Sequence, residues 1–297
     1  MNRAERRPGA AIAAPLIVAI VTLAAFLPVL RAGFVSWDDD KNFTDNPLYR
    51  GLGHDQLHWM WTTFHMGHYV PLSWMTLGLD YELWGMNAAG YHLTNLVLHA
   101  ATAVVVYFLA RRLLAAERAP AGAGSSLANA KWGQTPFLAA AFAALFFAVH
   151  PLRVESVAWV TERRDVLSGL LYFSSILAYL RSRDAGHSAW YAAALVLFVA
   201  ALLSKATAMT LPAVLLLLEV YPLRRLGGAV GWSSAAARQV YLRLAPFALL
   251  SAAICGPFCT TPSSGRVIST NAVSAAVTMG QRRRESHAIT PSAIVNA

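Results

Sequence analysis

Charged residues divide this sequence into long uncharged blocks. Ala10 to Leu30 runs without a charge, and further charge-free stretches run from Leu93 to Ala110, Trp132 to Leu152, Val166 to Leu180 and Ala185 to Ser204. Two shorter blocks follow: Ala206 to Leu218, which Glu219 interrupts and Val220 to Leu223 extends, and Leu244 to Cys255, which runs into Gly256 and Pro257. A helix needs about 20 largely apolar residues to cross ~30 Å of hydrocarbon, so the pattern predicts an all-α polytopic membrane bundle of about seven spans. The first block follows Arg3, Arg6 and Arg7, is longer than the apolar region of a cleavable signal peptide and has no small-residue cleavage site behind it. It reads as a retained anchor.

The longest polar interval, 31–91, separates the first block from the second. It carries Trp37, Trp59, Trp61, Trp74 and Trp84 with many His and Tyr residues and little of the Gly and Ser of a flexible tether. Windows such as His54 to Phe64 and Leu72 to Leu83 place aromatic and aliphatic residues three or four apart, the spacing of an amphipathic helix. Both are expected along the membrane interface, where Trp and Tyr rings are favoured.

Composition agrees with the pattern. Of 297 residues, 57% are hydrophobic and 13% charged, against about half and a quarter in a soluble domain. The net charge is +9, but the basic residues sit between apolar runs and form no stripe, which argues against nucleic acid as a partner. Cys255 and Cys259 imply neither a disulfide framework nor a zinc site. A GxGxxG loop, a Walker motif and an HExxH helix are absent. With the N-terminus inside, the inner segments hold 13 Lys and Arg and the outer segments before the tail hold 7. That is the cytoplasmic bias of short flanking loops, and it puts 31–91 outside.

Two polar constellations face the same side in that topology. The first is FVSWDDDKNFTDNP, where Asp38, Asp39 and Asp40 sit just past the first block. Crowded carboxylates there can take a proton from a hydroxyl or bind a divalent cation, although nothing in the sequence requires a metal. A solvated turn explains them as well, since Asp is common in turns and at helix N-caps. The second is HPLRVESVAWVTERRD, which gathers His150, Arg153, Glu155, Glu162, Arg163, Arg164 and Asp165. Its arginines can hold a phosphate bidentately, or pair with the neighbouring carboxylates for little gain. Lys205, flanked by apolar residues, is either an intramembrane functional charge or a snorkelling lysine.

WDDDKNFTDNP, HYVPLSWMTLGLDYELWGMNAAGYHLTNLVLHA, HPLRVESVAWVTERRDVLSG and SKATAMTLPAVLLLLEVYPL, in this order, resemble the membrane part of bacterial proteins in which a polytopic region precedes tetratricopeptide repeats. That region is similar to the transmembrane and tetratricopeptide repeat O-mannosyltransferases, of the GT-C class, over about Gly33 to Leu250. The resemblance implies a GT-C-like membrane glycosyltransferase in the bacterial inner membrane, N-terminus cytoplasmic and first loop periplasmic. It would move a sugar from a polyprenyl-phosphate donor to a hydroxyl, on a protein acceptor. The family's acidic pair falls on Asp38 and Asp39, with Asp38 as the base. The family's HP…E…R motif falls on His150, Pro151, Glu155 and Arg164, with Arg163 and Lys205 as further substrate-binding candidates. The resemblance divides the chain into a transferase-like region, 1–255, and an irregular tail, 256–297. The tail is rich in Ser, Thr and Ala, has no 34-residue period, and reads as a truncation where the family continues with more spans and repeats. A non-catalytic membrane scaffold or assembly factor is the competing reading. A transporter is the third, and the acidic cluster's place at the rim rather than the midplane counts against it.

Overall fold

Within the described residues each apolar block of the sequence contributes a helix in a computed structural model, which describes residues 8–117, 137–185 and 188–260, with side chains over 12–117, 137–183 and 188–254. The helices are α1 (Pro8–Phe26), α2 (His54–Thr62), α3 (Pro71–Trp84), α4 (Ala88–Glu117), α5 (Phe137–Ala148), α6 (Arg153–Ala158), α7 (Arg163–Ala185), α8 (Ser188–Ser204), α9 (Leu211–Val220) and α10 (Ala235–Thr260). Short 3-10 turns extend α1 over Leu27–Arg31, precede α7 over Val160–Glu162 and join α8 to α9 over Ala206–Thr210. The described residues contain no strand, only isolated bridges such as His65 to His68. Contacts divide the chain into Met1–Gly256 and Pro257–Ala297. The tail expected to be irregular from 256 begins as the end of α10, helical to Thr260; its remainder, 261–297, lies outside the described residues, as do Arg3, Arg6, Arg7, Arg118 and Lys131.

Among the described residues, two helices are long and apolar enough to cross a membrane. Ile12–Arg31 has 20 residues and a mean hydropathy of 2.5, and Ala88–Glu117 has 30 residues and 1.8. At 1.5 Å per residue they reach about 30 and 45 Å. The other blocks make shorter or more polar helices than seven spans would call for. Phe137–Ala148, Ser188–Ser204 and Ala206–Val220 stay apolar but short, because His150-Pro151 ends one block and Lys205 breaks the next. Helix α7 carries Arg163, Arg164 and Asp165 in its first turn and Arg181 and Arg183 near its end.

Helix α4 is the spine, packed by α1, α5 and α7. Where it meets α1 and α5 the contact is built from Val18, Ala103, Tyr107, Ala140, Ala144 and Ala148. Small side chains at that seam let backbones approach closely, the packing on which helix association in lipid depends. Helices α7 to α10 bury a second core around Tyr179, Phe198, Leu211, Leu215 and Phe247.

The 31–91 segment supplies nearly all of a further core, made by Phe43, Tyr49, Met60, Trp74, Leu77 and Tyr91, to which Val160 is added from the turn before α7. Pro71 opens α3 and Gly85, at φ 60°, closes it, the usual proline-first, glycine-last asymmetry. The two amphipathic windows behave differently. Helix α2 buries Met60 and exposes Trp61, as an interfacial helix would. Helix α3 is instead packed into the protein: it buries Ser73, Trp74, Leu77, Gly78 and Asp80 and lies against α4, α7 and α8. At Gly78 a Cβ would come within 2.6 Å of the Gly51 carbonyl oxygen, so the absence of a side chain permits this approach.

Charge separates along α4. At its second end Arg112 donates to the Leu180 carbonyl at 2.8 Å, and Arg224 pairs with Glu117 at 3.3 Å. Nearby, buried Glu219 accepts from the Tyr179 hydroxyl at 2.8 Å. The acidic cluster and the 150–165 segment gather at the first end. On the flanks, α5 leaves Leu138, Phe142 and Phe146 at 85, 72 and 61% exposure, a contiguous apolar surface of the kind that marks a membrane or protein contact.

Candidate functional site

Adjacent carboxylates in WDDD have different fates because the backbone turns sharply there. Asp39 points inward and is 0% exposed. It accepts from the Val35 amide at 2.9 Å, the Thr161 amide at 3.0 Å and the Thr161 hydroxyl at 2.6 Å. Asn42 donates to the same Thr161 hydroxyl at 3.0 Å. Asp39 therefore staples the first loop to the turn before α7, and its lone pairs are occupied. Asp40 caps its own turn through the Lys41 amide at 2.9 Å. Asp38 is half-buried and lines a cavity of ≈60 Å³ with His65, His68, Ser73 and Arg164, room for a few waters or one small polar group.

The two histidines reach that cavity from a tight turn. His65 and His68 bridge each other across Met66 and Gly67, at φ 49° and 78°, the paired positive φ values of a type I′ hairpin turn. Burial pushes the His65 imidazole below its usual range. For His68 burial and then the cations Arg164 and Lys205 do the same, so both rings are neutral at pH 7 and can accept or donate a proton.

The sequence candidates of the second constellation are dispersed. Arg163 is 0% exposed. It donates to the Asp80 carboxylate at 2.6 Å, to the Tyr91 carbonyl at 2.9 Å and to Asn95 Oδ1. Asp80 also accepts from Thr94 at 2.7 Å. Burial pushes the Asp80 carboxyl up, and Arg163 pulls it only part of the way back. The guanidinium expected to face a phosphate thus joins α3 to α4 and α7 and lines neither cavity. Arg164 faces the Asp38 cavity, but its Nε and Nη2 fork closes on Glu162 Oε1 at 3.0 and 2.6 Å.

Lys205 bridges Glu162 Oε2 at 2.9 Å and Asp165 Oδ1, and is therefore a paired charge at the junction of α8 and α9. Burial acts to raise the Glu162 carboxyl, but the hydrogen bonds from Arg164, Asp165 and Lys205 outweigh it and hold it down at about 2. His150 caps the following turn by accepting from the Leu152 amide at 3.3 Å, and Glu155 is exposed; neither lines a cavity. On the far side of the Lys205–Asp165 pair lies a larger cavity of ≈350 Å³ that reaches from Arg153 to Thr210. Among the described residues no three His, Cys, Asp or Glu side chains form a group that could hold a metal ion.

Sequence reasoning missed Thr161, His65, His68 and Asp80. Gly67 was the one available mark of the turn. Nothing local marked Thr161 or Asp80 as partners.

No protein-family model matches the chain, and no solved structure matches it. Curated relatives do. Protein O-mannosyl-transferase Tmtc2 of Drosophila melanogaster is 32% identical over 224 residues, covering 69% of this chain and 21% of the relative. Protein O-mannosyl-transferase TMTC3 of Homo sapiens is 28% identical over 221 residues, covering 69% and 21%. Protein O-mannosyl-transferase Tmtc1 of Drosophila melanogaster is 30% identical over 197 residues, covering 62% and 20%. The chain spans about a fifth of the length of these relatives. Over its helical region, the chain is similar to the TMTC protein O-mannosyl-transferases.

Proposed function

We propose that this chain carries the reaction centre of a membrane glycosyltransferase that moves a sugar, mannose by the relatives' names, from a polyprenyl-phosphate donor to a hydroxyl of a protein acceptor. In this reading the helices form a GT-C-like bundle of about seven spans in a bacterial inner membrane. The N-terminus is cytoplasmic and 31–91 faces the periplasm, an orientation supported by the basic residues gathered at the Arg112 and Glu219 end.

The observation that carries the reading is the separation of Asp38 from Asp39. One carboxylate is spent on the fold, while its neighbour faces a small cavity walled by Phe43, Val70, Trp74 and Leu77, into which two neutral imidazoles and Arg164 also reach. The acceptor oxygen attacks the anomeric carbon, the bond from that carbon to the phosphate oxygen breaks, and the phosphate leaves on its lipid. The hydroxyl proton passes to Asp38. The neighbouring His65 and His68 can hydrogen-bond the incoming hydroxyl. Arg164 is the cation of the cavity wall, and Glu162, itself held by Lys205, fixes its guanidinium from behind.

Membranes containing the chain, incubated with radiolabelled polyprenyl-phosphate mannose, should transfer label to protein. Asp38→Asn keeps the shape and loses the proton acceptor, so transfer should fall by about 100-fold or more with the melting temperature unchanged. Full transfer by Asp38→Asn, or no transfer by the unaltered chain, refutes the reading.

A further inference from the structure

Three arginines gather at the acidic end of the bundle, and two are committed. Arg163 is held by Asp80, Tyr91 and Asn95, and Arg164 by Glu162. Arg153 has no carboxylate partner among the described residues; its guanidinium rests over the Phe147 ring, 4.8 Å from the centroid. It is half-buried and lines the ≈350 Å³ cavity, a volume within the ~300–1,000 Å³ range of small-ligand sites.

Most of the rest of the lining is hydroxyl and ring, with Val166 and Ala208 between them. Thr102 and Ser168 donate their protons to the carbonyls of Leu98 at 2.8 Å and Ala201 at 3.2 Å, which leaves their oxygens as acceptors for a ligand's hydroxyls. Tyr172 and Phe173 add aromatic surface. Asp165 is the one carboxylate of the lining, and Lys205 neutralises it. At Gly169 a Cβ would meet nothing within 4 Å, so space stays open along α7 between Asp165 and Phe173, about 12 Å of helix. A free sugar needs no uncommitted arginine, and a bare anion needs neither hydroxyls nor rings. A phosphate ester of a sugar uses all three.

The geometry points to this cavity as the binding site for a lipid-carried hexosyl phosphate, with the planar fork of Arg153 as the phosphate's partner. The inference rests on the transferase reading, which supplies the ligand, and moves the phosphate from Arg163 and Arg164 to Arg153. Lys205 stands between the two cavities, holding Asp165 of the larger one and Glu162 behind Arg164 of the smaller one. The sugar end of the donor is then next to the Asp38 cavity. Helix α5, which lends Phe147 to the lining, exposes Phe142 and Phe146 as a track for the lipid chain.

The test is equilibrium binding to the purified chain in lipid nanodiscs, with radiolabelled polyprenyl-phosphate mannose in one arm and mannose 1-phosphate in solution in the other. The lipid-linked probe should bind the unaltered chain. Arg153→Gln should weaken it about tenfold or more, and Arg153→Lys should restore only part, because a point charge replaces a fork. Gly169→Leu fills the open space on a helix that favours leucine, and should abolish binding while the chain melts at its normal temperature. If the unaltered chain binds and both Arg153→Gln and Gly169→Leu bind equally well, the placement is overturned and the transferase reading stands. If the unaltered chain binds neither probe, the transferase reading falls and takes the placement with it. Equal affinity for mannose 1-phosphate would overturn the lipid as the source of the phosphate.

Discussion

Replacing Arg163 by methionine separates a structural pin from a ligand group. The Arg163 and Asp80 side chains are 0 and 2% exposed and meet at 2.6 Å. Methionine removes the cation and leaves the Asp80 carboxylate buried with Thr94 as its remaining donor, at 2.7 Å. Breaking a buried pair in this one-sided way costs about 3–5 kcal/mol, which is roughly 150- to 5,000-fold in the folding equilibrium. At ~2–4 °C per kcal/mol the melting temperature should fall by about 6–20 °C. Removing both charges, with Asp80→Leu added to Arg163→Met, should restore most of that loss, since an apolar pair of similar volume often matches a buried ion pair. Thermal unfolding of the two single variants and the double in detergent gives the coupling as a double-mutant cycle. The reasoning fails if Arg163→Met melts within about 2 °C of the unaltered chain, or if the double variant melts no higher than the singles.

Three further outcomes follow from the same geometry. Asp39→Asn can keep some of the bonds from Val35 and Thr161 but loses the charge that strengthens them, so thermal unfolding should show a loss of about 1–3 kcal/mol. Transfer per folded molecule should be retained, and intact stability with lost transfer would reverse the roles of Asp38 and Asp39. The folded Glu162 carboxyl titrates at about 2, below its unfolded range near 4.3. Its contribution is therefore complete above about pH 4.3 and is lost as pH falls toward 2; Glu162→Gln should flatten that part of an acid-melting profile, and an unchanged profile would count against the pairing. Finally, cysteine at exposed Lys41 should react with a membrane-impermeant thiol reagent added outside intact cells, while cysteine at Glu117 should not; the reverse pattern would invert the proposed orientation.

Chemistry was legible in this sequence at the level of segments and illegible at the level of neighbours. The apolar runs gave helices because lack of charge over a whole turn needs no register to read. Even so, α4 starts at Ala88, ahead of its apolar run, because Asn87 accepts from the Ala89 amide at 3.1 Å and caps it. Which of Asp38 and Asp39, or of Arg163 and Arg164, turns inward depends on one step along the backbone, about 100° on a helix. The deciding partners are remote: Thr161 lies 122 residues from Asp39 and Asp80 lies 83 from Arg163. The turn that presents His65 and His68 escaped for another reason. Met66 sits at positive φ, where a residue with a side chain is seldom found.

The same long separations give the first loop a history during synthesis. Its ties to the helical bundle include Asn42 and Asp39 to Thr161 and the Ser73 hydroxyl to the Ser204 carbonyl, at separations of 119, 122 and 131 residues. At a synthesis rate of roughly 5–20 residues per second, those partners emerge about 6 to 26 seconds after the loop itself. Over that interval the Phe43, Tyr49, Trp74 and Tyr91 cluster is what can hold 31–91 together. A substitution that loosens this cluster would lower the yield of assembled protein before any assay of the finished molecule could register it.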